Sequence, residues 1–306
     1  MKATPQDAEL LIVGAGPAGC AAAIMAASIG MTSVLIDAEP RPGGKLWQIG
    51  HLENLPGGWT DGPSYARSLI GDLARLGDAC RFQEAEVIAV NASEDQVAVT
   101  LADGGVLTGR HLIVATGVRA AKASDVAWIS AETELSALWS APVPAPGQHM
   151  VVVGADRPLG TWLRTHPDFG QKLTVLHPAA DDYKAHEVRD DPRVELVRVA
   201  HVAVRGAGPF EIEFRPAGTA GQKAIGVDSV FANLGSVPAS LPGLVSTADG
   251  YCPPADQHPR ITIAGDLCAK QNQRVLIAGG GGGTAALFHY YREERAGSAG
   301  PTHQTP

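Results

Sequence analysis

The sequence predicts an α/β protein made of two parallel-sheet units, and three observations predict it. A buried strand runs into a glycine turn, a small-residue helix and a second strand over residues 10–37. A second strand-and-glycine turn, VVVGADRPLG, occupies 151–160, and strand-like and helix-like periodicities alternate along the rest of the chain. Each unit is expected to be a three-layer, Rossmann-like dinucleotide fold.

The first segment, ELLIVGAGPAGCAAAIMAASIGMTSVLIDAEP, justifies its elements one by one. Residues 10–13 are uniformly apolar, as in a strand buried on both faces, and Gly14, Gly16 and Gly19 satisfy GxGxxG. The helix that follows stops at Gly30, and the strand at 33–36 ends on Asp37. Gly14 allows the tight turn, Gly16 lets backbone N–H groups reach a pyrophosphate, and Gly19 lets helix and strand approach. Asp37 is placed to accept hydrogen bonds from a ribose hydroxyl. The bland alternative for the same residues is a tight turn in an ordinary α/β domain.

Composition sets the limits. The chain has 306 residues, 45% hydrophobic and 18% charged, with a net charge of −8. That is a soluble, globular balance with room for one large or two ordinary domains, and the absence of a basic block argues against a nucleic-acid surface. Lys2, Pro5, Asp7 and Glu9 precede the first apolar run, so neither a secretory signal nor a membrane anchor fits, and a cytoplasmic location is expected. Cys20, Cys80, Cys252 and Cys268 are scattered and form no CxxC pair; the ten histidines show no zinc spacing, and no metal is expected. The segment from Ala296 onward reads as a disordered tail.

Further along come PRPGGKLWQIGHLENLPG after Asp37, HLIVATG at 111–117 and ITIAGDLCAKQNQRVLIAGGGGGTAALFHYY near the C-terminus. With the first fingerprint, these resemble the low-molecular-weight thioredoxin reductases of the pyridine nucleotide-disulfide oxidoreductase superfamily, over roughly residues 8–292. The resemblance implies FAD as cofactor. It implies that Gly14, Gly16, Pro17, Ala18 and Gly19 hold its diphosphate and that Asp37 and Ala38 meet the adenosine ribose. Gly43, Gly44, Lys45 and Leu46, through Glu53, Asn54, Pro56 and Gly57, match the segment along the isoalloxazine. Val87, the ATG turn of Ala115, Thr116 and Gly117, the GD pair Gly265 and Asp266, and Arg274 with Val275 complete the implied site. A final helix starting near the glycine run from Gly280 would bring its dipole to the flavin pyrimidine edge.

The resemblance also implies that the second unit is inserted into the first. The expected FAD domain is then 1–118 with 248–306 and the inserted domain 119–247, flanked by SAPVPAPGQH and the return segment SVPASLPG. It implies a homodimer through the FAD domain.

Departures from the family are confined to two regions. Lys45 stands for the glutamine of GGQL, and Gln273–Arg274 reverses an RQ pair; Lys45 is either a cation beside the flavin or a solvated loop lysine. In the inserted unit, Ala137 and Ser140 of ALWS take the two relay-cysteine places. Asp156 stands where GxGxxG wants glycine, and the third glycine arrives one place late at Gly160. After the second strand of that unit, His177 is followed by Pro178 and Ala179, then Asp181 and Asp182, where arginines would grip a 2′-phosphate.

The expected function is a FAD-dependent oxidoreductase without dithiol relay or NADPH input. It would oxidise a small organic substrate with oxygen or a carrier as acceptor, or take electrons from a ferredoxin-like donor. A flavin-binding sensory or interaction module and an NADH-dependent reductase are the alternatives. Lys45, His51, Cys268 and Trp139 are the candidate catalytic residues, each with an ordinary packing or solvent role as its plain alternative.

Overall fold

The computed structural model describes residues 8–298. Among these, 8–47, 52–118 and 238–298 form one compact unit, and 48–51 with 119–237 form another. The first crossing falls at 118/119, and the second falls at 237/238, ten residues before the expected 247/248. The residues between those positions pack on the first unit: Val90 N donates to Pro242 O at 2.9 Å, and Leu241 and Leu244 join its core. Proline-rich composition marks an irregular segment but does not say which core it covers.

The first unit opens with β1 (Ala8–Val13), α1 (Pro17–Ser28) and β2 (Ser33–Asp37), continues through α2 (Gly62–Ala74), β3 (Cys80–Glu84), β4 (Val87–Ala92), β5 (Val97–Leu101) and β6 (Val106–Val114), and leaves through β7 (Val118–Ala120). The second contains β8 (Ile129–Ala131), β9 (Met150–Val153), α3 (Pro158–Thr165), β10 (Leu173–His177), α4 (Asp182–Ala185), β11 (Val194–Arg205), β12 (Phe210–Pro216), β13 (Lys223–Val227) and β14 (Ser229–Ala232). The chain returns through β15 (Ser236–Pro238), which pairs with β7, and ends with β16 (Ile261–Ile263), α5 (Asp266–Ala269) and α6 (Val275–Ser298).

In the first unit β3, β2, β1, β6 and β16 run parallel, with Leu10 opposite Ser33 and His111, and β4 and β5 extend β6 as an antiparallel meander. Strands buried on both faces require two cores. Leu10, Ile12, Leu35 and Ile113 pack with the alanines of α1 and α6, while Leu11, Val13, Val34 and Leu112 pack with Val90, Val97 and Val99 of the meander. The second unit repeats the plan. Parallel β11, β10, β9 and β14 carry helices on one face, and β11 to β13 form a meander whose Val202, Ile212 and Phe214 fill the other. The third layer in both units is therefore β-structure.

Helix α6 starts at Val275, not near Gly280, so the glycine run lies inside it. Glycine is a poor helix former, and the fold uses its missing side chain: a Cβ on Gly282 would collide with the carbonyl oxygen of Ala18 on α1. The two helices therefore meet backbone to backbone. Residues 296–298, expected to begin a disordered tail, continue α6, and 299–306 lie outside the described residues.

Candidate functional site

The carboxyl ends of the parallel strands of the first unit converge on one edge, where open α/β sheets bind ligands. After β1, Gly14 holds φ +99°, and a Cβ there would strike Ala115 O, so the first turn and the ATG turn are in backbone contact. Gly14 N donates to Ile36 O at 2.8 Å, and Ala15 N donates to Asp37 Oδ2 at 2.5 Å. Asp37 Oδ1 accepts from Glu39 N, so the acid predicted to face a ribose also ties the end of β2 to the glycine loop. A Cβ on Gly19 would meet Gly14 O, which is the close helix–strand approach its place in the motif demands.

Around Gly16, the N-cap of α1, the neighbours are backbone. Gly43 N donates to Ala15 O at 2.7 Å, and a Cβ on Gly44 would lie 3.1 Å from Gly16 Cα, while a Cβ on Gly16 itself would point into open space. Lys45 and the fully buried Leu46 follow on a short 3₁₀ turn. Thr116 Oγ1 donates to Ala239 O at 2.7 Å, and Gly117 carries φ +65° beside the Cβ of Asp266. Gly265 packs against Ala18 of α1 and Ala278 of α6, and Arg274 O accepts the first helical bond of α6. Val87 is buried at the head of β4, and Ala38, Glu53, Asn54 and Pro56 are exposed.

Asp266 is the polar centre of this cradle. Its Oδ1 is buried without a hydrogen-bond partner. Burial raises its carboxyl above the usual carboxylate range, and the nearby charges of Lys45 and Arg274 only partly offset that. An unpartnered buried oxygen is costly unless a ligand hydroxyl satisfies it. Glycine-lined backbone, an open helix N-terminus and an acceptor awaiting a donor fit a dinucleotide cofactor with a polyol chain.

The thiols do not add a redox pair. Burial pushes Cys268 up, with Asp266 adding to it, and its Sγ contacts Gly265 O at 3.3 Å; Cys20 is pushed to about 12 by burial first and Asp37 second. Both hold their protons at neutral pH, which is the inert state.

The second unit begins its turn as the first does, then diverges. Gly154 has φ +96°, a Cβ there would strike Asn233 O, and Gly154 N donates to Leu176 O at 2.7 Å. Asp156, however, forms an ion pair with Lys184 at 3.2 Å, and Lys184 also pairs with Asp181 at 3.2 Å. The Lys184 and Asp156 side chains are only 20% and 21% exposed. Burial alone would lower the Lys184 ammonium, but the two aspartates raise it above the ordinary lysine value. A Cβ on Gly160 would run into Glu187, which binds Arg164 at 2.7 Å, so this glycine accommodates a carboxylate instead of a strand. Arg157, the cation next to Asp156 in sequence, is exposed at the head of α3. The compensating cation is Lys184, which no motif marked.

At 138–140 the chain makes a 3₁₀ turn in which Leu138 is buried, Trp139 is 46% exposed and Ser140 Oγ donates to Ala137 O at 2.7 Å. His51, read as part of the flavin-lining stretch, belongs with 48–51 to the second unit, where Gly50 abuts Thr165 at the end of α3.

Comparison with known proteins places this architecture. The family model of the pyridine nucleotide-disulphide oxidoreductases matches residues 8–155. Thioredoxin reductase of Treponema pallidum is 26% identical over 293 residues, covering 89% of this chain and 92% of its own. The chain is similar to the thioredoxin reductase-like pyridine nucleotide-disulphide oxidoreductases. Ferredoxin–NADP reductase of Saccharopolyspora erythraea is 28% identical over 263 residues, 77% of this chain and 75% of that one. The crystal structure of Lactococcus lactis thioredoxin reductase (FR conformation) superposes with a TM-score of 0.77 at 19% identity, over 93% of this chain and 98% of the other. That of T. acidophilum thioredoxin reductase gives 0.77 at 19%, over 95% and 100%, and at such identities these two report on fold. Proteins of this thioredoxin reductase-like type are FAD flavoproteins, and the chain is a flavin-dependent oxidoreductase. Among the described residues no helix is long and apolar enough to cross a membrane.

Proposed function

We propose that the chain is a FAD-dependent oxidoreductase working without a dithiol relay and without NADPH, and that a small organic substrate exchanges electrons with its flavin directly. Gly14, Gly16 and Gly19 would hold the diphosphate, Asp37 the adenosine ribose, and Asp266 a hydroxyl of the ribityl chain. Lys45, Gly117, Arg274 and the first turn of α6 would surround the ring system. Bound FAD would supply the hydride and electron chemistry, which no side chain of the chain can. Asp266 would orient it through Oδ1, and the Lys45 and Arg274 cations would favour added negative charge nearby.

One contrast carries the reading. The flavin cradle of the first unit is complete, while the turn that should carry the relay cysteines has Ala137 and Ser140, with the serine hydroxyl turned onto its own backbone. Trp139 on that turn is exposed. Oxygen or a carrier would accept the electrons. The likeness to a ferredoxin–NADP reductase favours a second reading, in which a ferredoxin-like protein exchanges electrons with the flavin. A homodimer through the first unit is part of the proposal.

The test is a visible spectrum of the purified protein followed by additions of NADPH, NADH, dithionite and air. Flavin bands that persist with both nicotinamides, bleach with dithionite and return in air are the expected result. Rapid bleaching by NADPH refutes the proposal, and a flavin resistant to dithionite points to a non-redox module.

A further inference from the structure

We propose that Lys184 is a resident cation that keeps the dinucleotide crevice of the inserted unit shut by ion-pairing with Asp156, making this crevice a self-occupied site. This deepens the reading that the chain takes no electrons from a nicotinamide, and it rests on that reading.

The crevice of an open α/β sheet lies where neighbouring strands send their following segments to opposite faces. In this unit that point lies between the ends of β9 and β14, at Gly154 and Asn233, residues whose backbones touch. Three contacts close it. Asp156 N donates to Asn233 O at 3.3 Å, and the Asn233 amide returns Nδ2 to Asp156 O at 2.7 Å, so the loop is stitched to β14. The Asp156 carboxylate and the Lys184 ammonium both lie over Gly235, 3.7 and 3.8 Å from where its Cβ would be. Asp181 holds Lys184 from the other side.

A pyrophosphate entering here must take Lys184 from two carboxylates and then sit beside them as a like charge. It must also compete with Asn233 for the backbone of Asp156. In the first unit the corresponding space at Gly16 is lined by backbone and left open. A lysine in this position would strengthen phosphate binding if it were unopposed; paired with Asp156 and Asp181 it is an internal counter-ion. Asp156 and Lys184 thus act as one ion-paired unit in the closure.

The experiment uses the FAD-loaded full chain as wild type, Asp156→Gly, and the double variant Asp156→Gly, Lys184→Ala, with NADH and NADPH binding followed by calorimetry and folding checked by urea unfolding. The wild type is expected to bind neither nucleotide. Both variants are expected to bind NADH at least about tenfold more tightly than the wild-type limit, and NADPH no better than NADH. A folded double variant that still binds no NADH overturns the lock while leaving the reading without nicotinamide input intact. A wild type that binds NADH as tightly as the variants overturns both. A thermodynamic cycle with the conservative changes Asp156→Asn and Lys184→Gln gives an independent readout: a coupled shift in urea midpoint supports the pair, and strict additivity overturns it.

Discussion

The imidazoles of His111 on β6 and His289 on α6 stack with centroids 4.4 Å apart and planes 25° from parallel, both buried, with His289 Nε2 3.0 Å from Thr262 Oγ1. Burial lowers His289 to about 3, and the charges of His111, Arg292 and Arg260 add to this. A histidine depressed below its ordinary 6.5 stays neutral in the folded chain while the unfolded chain takes up a proton. Its contribution to stability is complete above pH 6.5, falls as pH drops toward 3, and is constant below that. Urea midpoints measured across this window should therefore fall less steeply for His289→Phe than for the wild type. Equal slopes would show that the pair does not govern acid sensitivity.

Asp266 yields a prediction with two opposite signs. Asp266→Ala removes a buried, unpartnered carboxylate oxygen, so the apoprotein should be at least as stable as wild type, by up to about 1 kcal/mol. The same change should weaken FAD retention about tenfold or more, read from the ratio of flavin to protein absorbance after gel filtration. A variant that lost apo stability and kept its flavin would contradict the role proposed for Oδ1.

Within the glycine run of α6, two neighbouring sites should respond in opposite directions. Gly280 is exposed, and a Cβ there would meet nothing within 4 Å. Gly280→Ala should stabilise the chain by roughly 0.5–1 kcal/mol through helix propensity. Gly282→Ala would press a methyl into Ala18 O and separate α1 from α6, costing about 2 kcal/mol or more. Calorimetric melting of the two variants settles the matter by sign alone.

Lys45→Gln restores the residue of the resembled family at the position next to Gly44. Removing a cation near Asp266 should lower the flavin reduction potential and weaken sulfite binding to the oxidised flavin about tenfold, equivalent to about 30 mV for a two-electron couple. An unchanged potential and sulfite affinity would return Lys45 to the role of a solvated loop residue.

Much of the first unit was legible because its signals are local. Residues 10–13 and 33–36 are uninterrupted apolar runs, the glycines mark backbone contacts made within one βαβ unit, and the GD pair sits directly after a strand. Features that depend on distant segments were not. The start of α6 was misplaced because five consecutive glycines read as an interruption, whereas contact with α1 is what makes them tolerable. The meanders hid because β6 and β11 change partners partway along, parallel at one end and antiparallel at the other. Lys184 carries no motif; only the packing of α4 beside the 154–160 loop gives it a partner at Asp156. His51 looked like part of a flavin-lining stretch because sequence proximity to Lys45 says nothing about which unit its turn joins.

The backbone contact between α1 and α6 also bears on how the chain is made. One helix spans Pro17–Ser28 and the other Val275–Ser298, and the cofactor cradle proposed above draws on both. Until α6 is made, the alanine face of α1 lacks the partner that covers it in the folded unit, and 119–237 lies between the two in the chain. The first unit can close only once α6 has been made, so flavin capture waits on a segment that follows the whole inserted unit in the chain.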